Sequence, residues 1–353
     1  MPITTTTSRT NRYATAAVVL LLLLLSAQVL HAIHGQSLTW DEDDHIFAGY
    51  ESWKTHDFGL NPEHPPLVKL LATLPLLPLH LTVPPLQHRF FKAEAYFGGR
   101  QFLFHNGPAD GNQYSAETLV FRARLPTLLF TLAAALLVFF AAREMFSLRA
   151  GLLALTLFCF EPNLLAHGAY VTTDMAAACT FFATIYCLYR YLERPTFARL
   201  LVTGVAAGLA LASKHSTVLL APMLVLLLAG ELLARAISSR RPRDPRQTTL
   251  PRTALHYVFA LAIITLIGVL VLWSSTDPAT PPAPPHSPSA PASPTTLALS
   301  PASKPAASSS PPTSTSSPKA TSTASPTSAR WPTTCPASSS VMSTATASGT
   351  TSP

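Results

Sequence analysis

Charged residues are scarce in this chain. Asp, Glu, Lys and Arg together make up only 12% of its 353 residues, whereas 48% are hydrophobic. A typical soluble domain is about 25% charged. The shortage excludes an ordinary soluble fold, because so little charge cannot cover so apolar a protein in water. We therefore predict that lipid is its main solvent.

Cysteine is also scarce, and its placement excludes a cysteine-based metal centre. The chain has four cysteines, and none of them stands at the spacing of a zinc site. The formal net charge is +7, but the basic residues lie at the ends of apolar runs and not among aromatic residues. This placement excludes a nucleic-acid surface and is typical of residues that set membrane topology.

The chain contains several long apolar runs that are almost free of charged residues. A hydropathy reading predicts about seven transmembrane helices, at residues 14–33, 125–142, 151–165, 169–192, 200–212, 216–233 and 255–273. With residues 1–13 in the cytoplasm, the arginines of segments 143–149, 190–199 and 235–246 all fall at cytoplasmic ends, as the positive-inside rule requires. A cleaved signal peptide is the alternative for the first run, whose length favours a signal anchor.

The segment between the first two runs, residues 34–124, is too long for a simple connector. It contains several aromatic residues, and its apolar part, residues 66–83, is interrupted by Pro75 and Pro78. These features predict a large first extracytoplasmic loop that carries helices at the membrane surface; an additional span is the alternative. We therefore predict an all-α polytopic membrane protein whose transmembrane domain occupies residues 14–273.

Residues 274–353 differ abruptly from the preceding part of the chain. They are rich in Pro, Ser, Thr and Ala and show no apolar periodicity. This composition predicts a disordered tail, because it offers too little apolar surface to offset the entropy of ordering. Two origins stay open for the tail: a stalk at the cell surface, and a shift of reading frame that truncates the transmembrane domain.

Two groups of polar residues in the long loop are candidates for chemistry. The string WDEDDH at residues 40–45 places four carboxylates next to a predicted span, and their mutual repulsion implies a cation or a hydrogen-bonding substrate. The string NPEHPPLVK at residues 61–69 holds an acid, an imidazole and an ammonium on a backbone stiffened by three prolines. The structural alternatives are a solvated acidic loop and the start of a surface helix.

Further polar residues lie on the same predicted side of the membrane. Asp174 begins a predicted span, where an ionisable residue is costly enough to indicate function; a helix cap is the alternative. Lys214 and His215 lie in a turn between two apolar helices, where a lysine that reaches back to the interface is the alternative. Arg122 and Arg124 lie where the second span begins. We therefore predict that these groups converge.

In order and spacing, these motifs resemble the C-type membrane glycosyltransferases, in particular family 39, which includes protein O-mannosyltransferases and lipid A aminoarabinose transferases. The resemblance covers about residues 12–273. It rests on Asp41 and Glu42 after the first span, NPEHPPL at residues 61–67, Arg122 and Arg124, and PNLLAHG at residues 162–168 followed by Asp174. Such enzymes usually continue with several more spans, where this chain has its tail.

The resemblance implies that a sugar is transferred from a polyprenyl-phosphate donor to a protein or lipid acceptor on the extracytoplasmic face of the plasma membrane, in bacteria the inner membrane. It implies that Asp41 is the catalytic base, with Glu42 beside it as a second catalytic candidate. A carboxylate suits this task, since a hydroxyl acceptor has a high pKa. The candidates for binding the substrate and its phosphate are His64, Lys69, Arg122, Arg124, Asp174 and Lys214.

A divalent metal ion is an open expectation for this protein. Carboxylate oxygens and imidazole nitrogens are suitable ligands. Glu63 and His64 are the first candidates, and Asp41, Glu42 and Asp174 are further ones.

Two other functions remain open. One is a transporter or flippase-like protein in which Asp174 and Lys214 line a substrate path; the two halves show no internal repeat, and this function does not explain the long loop. The other is an inactive fragment of the glycosyltransferase that anchors a stalk. An inactive fragment would tolerate the loss of Asp41.

Overall fold

The structure, a computed structural model, describes residues 4–56, 58–86, 92–238 and 249–276. The regular elements in these ranges are all helices. They are α1 (Thr4–His34), α2 (Glu42–Thr55), α3 (Leu67–Thr73), α4 (Lys92–Phe104), α5 (Ala116–Met145), α6 (Leu148–Cys159), α7 (Pro162–His167), α8 (Asp174–Glu193), α9 (Phe197–Ser213), α10 (Leu220–Ser238) and α11 (Leu250–Ser274), with short 3-10 turns between some of them. The chain divides into two units, and the second, His286–Pro353, lies outside the described residues.

Among the described residues, five helices are long and apolar enough to cross a membrane: α1, α5, α8, α10 and α11. The predicted spans at residues 151–165 and 200–212 correspond to shorter helices, since α6 has 12 residues and α9 has 17. At 1.5 Å per residue these two are about 18 and 26 Å long, less than the roughly 30 Å of the hydrocarbon core. The prediction of an all-α polytopic membrane protein is confirmed, and two of its predicted spans are short.

Polar contacts show which helix ends lie together. Lys214, after α9, pairs with Asp174 at the start of α8. His215 approaches the loop before α3, with its Nε2 3.4 Å from the carbonyl oxygen of Pro62. We call this end of the bundle the loop end, because helices α2 to α4 lie there.

The opposite end of the bundle carries arginines. Arg190 near the end of α8 pairs with Glu144 near the end of α5, at 3.3 Å. Arg199 in α9 donates a hydrogen bond to the carbonyl of Arg190. We call this the arginine end. Its position opposite the loop end agrees with the predicted alternation of the spans.

Helices α2, α3 and α4 share a core with the first turns of α5; it includes Phe47, Phe102 and Leu119. Gly49 allows α2 to lie directly against α3, because a Cβ there would come within 2.2 Å of the carbonyl oxygen of Lys69. With only 7 residues, α3 is too short to cross a membrane. The loop therefore carries short helices, and none of those in its described residues is long enough to form the additional span.

Glycine also lets α9 and α11 pack closely. A Cβ at Gly208 would lie 2.4 Å from the side chain of Val271, and one at Gly204 would lie 2.8 Å from that of Ile267. Two glycines four residues apart on one helix face allow this close approach. The contact holds the C-terminal part of α11 beside α9, so that α11 ends at the loop end.

The helix bounds lie close to the predicted domain boundaries, which stay predictions. Helix α1 begins at Thr4, before the predicted start at residue 14, and its membrane-crossing part is Arg12–His34. Helix α11 ends at Ser274, one residue beyond the predicted boundary. From residue 277 onward, the predicted tail lies outside the described residues.

Candidate active site

A buried ion pair joins the start of α2 to α5 at the loop end. Arg124 donates from Nε and Nη2 to the two carboxylate oxygens of Glu42, at 2.8 and 2.6 Å. Glu42 also accepts hydrogen bonds from the backbone N–H groups of Thr39 and Val171, at 2.9 and 3.0 Å. Its two oxygens therefore accept four hydrogen bonds, and Glu42 ties the α1–α2 corner to α5 and to the segment before α8.

The remaining donors of Arg124 bind carbonyl oxygens around the end of α1. These belong to Ile33, Gln36 and Ser37, at 3.2, 3.0 and 2.8 Å. Such full use of donors and acceptors makes the burial of an ion pair tolerable. Burial raises the pKa of Glu42, but the hydrogen bonds and charge of Arg124 outweigh this effect and hold the pKa below its usual value. Glu42 is therefore ionised, and both of its carboxylate oxygens are already engaged in hydrogen bonds, an arrangement that favours a structural role.

Asp41 stands directly before Glu42 and is held differently. It is the N-cap residue of α2, yet its half-buried side chain makes no capping hydrogen bond. Its carbonyl oxygen accepts the backbone N–H of His45 at 3.2 Å. Within the described ranges, no group donates a hydrogen bond to its carboxylate. A carboxylate that is fixed by its neighbour and has free acceptor capacity suits proton transfer from a substrate.

The next acid, Asp43, is buried and connects α2 to α4. Its Oδ2 lies 3.6 Å from Nε of Arg100, and its Oδ1 accepts the backbone N–H of Asp44 at 3.1 Å. Burial raises the pKa of Asp43 to about 6, although the N–H of Asp44 and the charge of Arg100 oppose this. Arg100 lies over the ring of Tyr96, which stacks on Trp40. Asp43 thus supports an aromatic cluster beside the acidic string.

A cleft of about 450 Å³ opens at the loop end, between the loop before α3 and the C-terminal end of α11. Its basic residues come from the loop, from α3 and from the turn after α9. They are His64, Lys69 and His215. Its apolar residues include Phe58, Val269, Leu272 and Trp273. A lining that is basic on one side and apolar on another suits an anionic group attached to a lipid.

Lys69 is the most buried basic residue of this cleft, with 4% of its surface exposed. Its Nζ donates a hydrogen bond to the carbonyl oxygen of Asn61 at 2.8 Å. Burial lowers the pKa of Lys69 to about 8, although the charges of Asp44 and Glu63 oppose this. The protonated form still dominates at pH 7, so the cleft carries a positive charge that suits a phosphate.

Histidine contacts hold the proline-rich loop in place. The ring of His64 meets the ring of His45 edge to face, with centroids 4.7 Å apart. Its Nε2 lies 3.7 Å from the carboxylate of Glu63. The contact between His215 and the carbonyl of Pro62, described above, fixes the other side of the loop.

The other residues predicted to bind the substrate or its phosphate have partners outside the cleft. Lys214 and Asp174 pair with each other and are 32% and 56% exposed. Arg122 lies over the ring of Tyr114, 5.5 Å from its centroid, and Arg124 belongs to the buried ion pair. The structure therefore places the two predicted loop residues in the cleft and these four outside its lining. Their roles in binding substrate stay predictions.

The predicted metal ligands do not form a metal site. Glu63 and His64 are close in space, but in the part of the chain that the structure describes no three His, Cys, Asp or Glu side chains lie close enough to hold a metal ion. Metal sites in proteins usually offer three or more ligands. A metal does not fit this arrangement of the described residues.

Two residues of this region were not singled out by the sequence. Trp273 forms part of the cleft wall at the end of α11; an aromatic residue at the end of an apolar run is a signal for the membrane interface. Asn61 begins the proline-rich string and is almost fully buried. Its signal was weak, because Asn before Pro most often indicates only a turn.

A family model of the dolichyl-phosphate-mannose-protein mannosyltransferases matches residues 78–274, more than half of the chain. The chain belongs to this family. The match begins in the long loop and ends at the last residue of α11. The predicted resemblance to the family 39 glycosyltransferases is confirmed.

A solved structure supports the fold of this family member. The chain resembles the S. cerevisiae protein O-mannosyltransferase Pmt1–Pmt2 complex bound to the sugar donor, with a TM-score of 0.51 and 16% sequence identity over 74% of this chain. The match covers 33% of the yeast chain, so this chain spans about a third of that protein's length. No curated protein matches the chain in sequence.

Proposed function

We propose that this chain is a membrane glycosyltransferase that moves a sugar from a polyprenyl-phosphate donor to a hydroxyl group of an acceptor on the extracytoplasmic face. The observation that carries the proposal is the contrast between two adjacent carboxylates. Glu42 accepts four hydrogen bonds, whereas Asp41 makes no capping bond and is half-buried. One acid anchors the corner, and the other is available to the substrate.

In the reaction, Asp41 acts as general base. It takes the proton of the acceptor hydroxyl while the hydroxyl oxygen forms a bond to the anomeric carbon of the sugar. The bond from that carbon to the phosphate oxygen breaks, and the phosphate leaves with the electron pair. A single displacement of this kind inverts the anomeric configuration. Phosphate is a good leaving group, so no separate general acid is needed.

The cleft supports a lipid-linked donor. Lys69 offers a positive charge where the leaving phosphate gains negative charge. Leu272 and Trp273 offer apolar surface at the end of a membrane-crossing helix, and such surface suits the lipid part of the donor. The family description favours mannose as the sugar and a protein as the acceptor.

The arginine pattern supports the proposed orientation. Arginines near membrane-spanning segments favour the cytoplasmic side, and this preference supports an extracytoplasmic position for the loop end and Asp41. The transporter alternative receives less support, because Asp174 and Lys214 lie at helix ends and are partly exposed.

Sugar transfer in membranes tests the proposal. Membranes that contain the full chain are incubated with polyprenyl-phosphate mannose labelled in the sugar. We expect Asp41→Asn to lower transfer by at least about a hundredfold, the range of a general base. The matched control is Asp110→Asn, another acid of the long loop, which pairs with His105 at 3.7 Å; it should retain transfer.

Two outcomes would contradict the proposal. Normal transfer by the Asp41→Asn protein would rule out Asp41 as the general base. An absence of transfer by the wild-type chain, with donor present and the protein inserted, would identify it as an inactive fragment.

A further inference from the structure

Asn61 has a buried side chain with unsatisfied hydrogen-bonding groups. The residue is 1% exposed, and neither its amide nitrogen nor its amide oxygen has a hydrogen-bond partner among the described residues. An amide removed from water without partners is strongly unfavourable. Buried groups of this kind are therefore satisfied by a ligand or by ordered water.

The backbone of Asn61 is fixed at the edge of the cleft. Its φ angle is 51°, in the left-handed region, which asparagine tolerates better than most residues. Its carbonyl oxygen accepts hydrogen bonds from Nζ of Lys69 and from the backbone N–H of His64, at 2.8 and 3.4 Å. Lys69 and His64 both line the cleft, and so does Pro62, the residue after Asn61. Contacts of its backbone thus hold Asn61 next to the cleft, and they leave the hydrogen-bonding groups of its side chain free.

The chemistry of the amide restricts its partner. Its nitrogen donates two hydrogen bonds and its oxygen accepts. A phosphate can only accept and an ammonium can only donate, so either would leave half of the amide unsatisfied. Hydroxyl groups both donate and accept. Neighbouring hydroxyls of a sugar can satisfy the nitrogen and the oxygen together.

We propose that Asn61 is a specificity-determining residue that binds hydroxyl groups of the sugar being transferred. This inference rests on the proposed function, because it assigns the sugar of the donor to the inner edge of the same cleft. It adds a division of tasks within the string at residues 61–69. The side chain of Asn61 recognises the sugar, while Lys69 receives the phosphate.

Equilibrium binding to the purified full chain tests the inference without requiring turnover. Two ligands are compared: polyprenyl-phosphate mannose, and the methyl ester of polyprenyl phosphate, which has the same single charge but no sugar. The variant is Asn61→Gly, since glycine adopts a positive φ freely and removes only the amide. The control is His56→Gly at the C-cap of α2, where φ is 57°.

We expect the wild-type chain to bind the mannosyl ligand at least about tenfold more tightly than the methyl ester, the order expected for one or two hydrogen bonds. Asn61→Gly should reduce this ratio to near one and leave affinity for the methyl ester unchanged. His56→Gly should keep the wild-type ratio.

Other results overturn the inference. If Asn61→Gly keeps the ratio, ordered water satisfies the amide and the sugar does not. If the wild-type ratio is near one, sugar hydroxyls are not recognised. If Asn61→Gly weakens both ligands equally, Asn61 shapes the cleft and does not select the sugar. If the wild-type chain binds neither ligand, the proposed function fails as well, which separates that failure from the other three.

Discussion

The two ends of the helical bundle differ in how deeply they bury their arginine–glutamate pairs. At the loop end, Glu42 and Arg124 are 0% and 1% exposed. At the arginine end, Glu144 and Arg190 are 41% and 46% exposed. Exposed pairs contribute about 0–1 kcal/mol, whereas removal of one partner from a buried pair costs about 3–5 kcal/mol. The buried arginine–glutamate pair thus lies at the same end as the candidate base. The exposed arginines at the opposite end are suited to setting the orientation of the helices in the membrane.

The largest expected effect comes from breaking the buried pair. Arg124→Ala leaves the Glu42 carboxylate buried without its cation and should destabilise the protein by about 3–5 kcal/mol, or roughly 10 °C in melting temperature. Thermal unfolding in detergent measures the change. Arg190→Ala is the matched control and should shift the melting temperature by at most a few degrees. Equal effects at the two ends would contradict the comparison.

Asp43 should give a pH-dependent effect of intermediate size. Because its folded-state pKa of about 6 lies above the ordinary value of 3.8, its stabilising contribution is complete below about pH 4 and is lost as the pH rises through 6. Asp43→Asn removes this loss, so between pH 4 and pH 7 the variant should gain up to roughly 3 kcal/mol relative to the wild type. Unfolding measured across this range checks the sign.

Arg100 provides the matched variant for Asp43. Its charge lowers the pKa of Asp43, so Arg100→Gln should strengthen the decline in stability with rising pH. A weaker decline in Arg100→Gln, or none in the wild type, would mean that Asp43 does not titrate as described.

Lys69 should give a smaller effect, seen in binding. Its pKa is lowered to about 8, so affinity for the methyl ester of polyprenyl phosphate should fall as the pH rises from 7 to 9. Lys69→Met should bind this ligand roughly tenfold more weakly at pH 7, the loss of one charged hydrogen bond, and should lack the decline. Lys54→Met, at a more exposed lysine near Tyr50, is the control. A decline that persists in Lys69→Met would rule out Lys69 as its source.

The smallest effect is expected at the arginine end. Arg235 pairs with Glu231 one turn earlier in α10, at 2.6 Å, and the two are 45% and 34% exposed. Arg235→Gln should change stability by no more than about 0.5 kcal/mol. A larger change in the unfolding midpoint would show that exposed ion pairs at this end contribute more than about 0.5 kcal/mol to stability, contrary to the difference proposed between the two ends.

The sequence was sufficient for the architecture, because apolar runs and arginine placement depend on local composition. It also identified His64 and Lys69, which reach one cleft because the prolines between them leave the chain few conformations. The two short helices were less accessible. Apolar composition at residues 151–165 does not show that a turn and α7 interrupt the run.

Pairings across the chain could not be predicted in the same way. Nothing local distinguishes Asp41 from Glu42 as the partner of an arginine 82 residues away. Asp174 and Lys214 were each expected to bind the substrate or its phosphate, and only the packing of α8 against α9 shows that they pair with each other. The unsatisfied amide of Asn61 likewise depends on how deeply the folded chain buries it, which its sequence neighbours do not reveal.

The most direct test of this account is to measure melting temperature and sugar transfer together in Asp41→Asn and Glu42→Gln. We predict that Asp41→Asn keeps the wild-type melting temperature within about 2 °C and loses transfer, because its carboxylate accepts no hydrogen bond from the described residues. Glu42→Gln should melt roughly 10 °C lower, because Arg124 loses its buried counter-charge. Wild-type stability in Glu42→Gln, or a loss of stability in Asp41→Asn that matches its loss of transfer, would contradict the division of roles between the two acids.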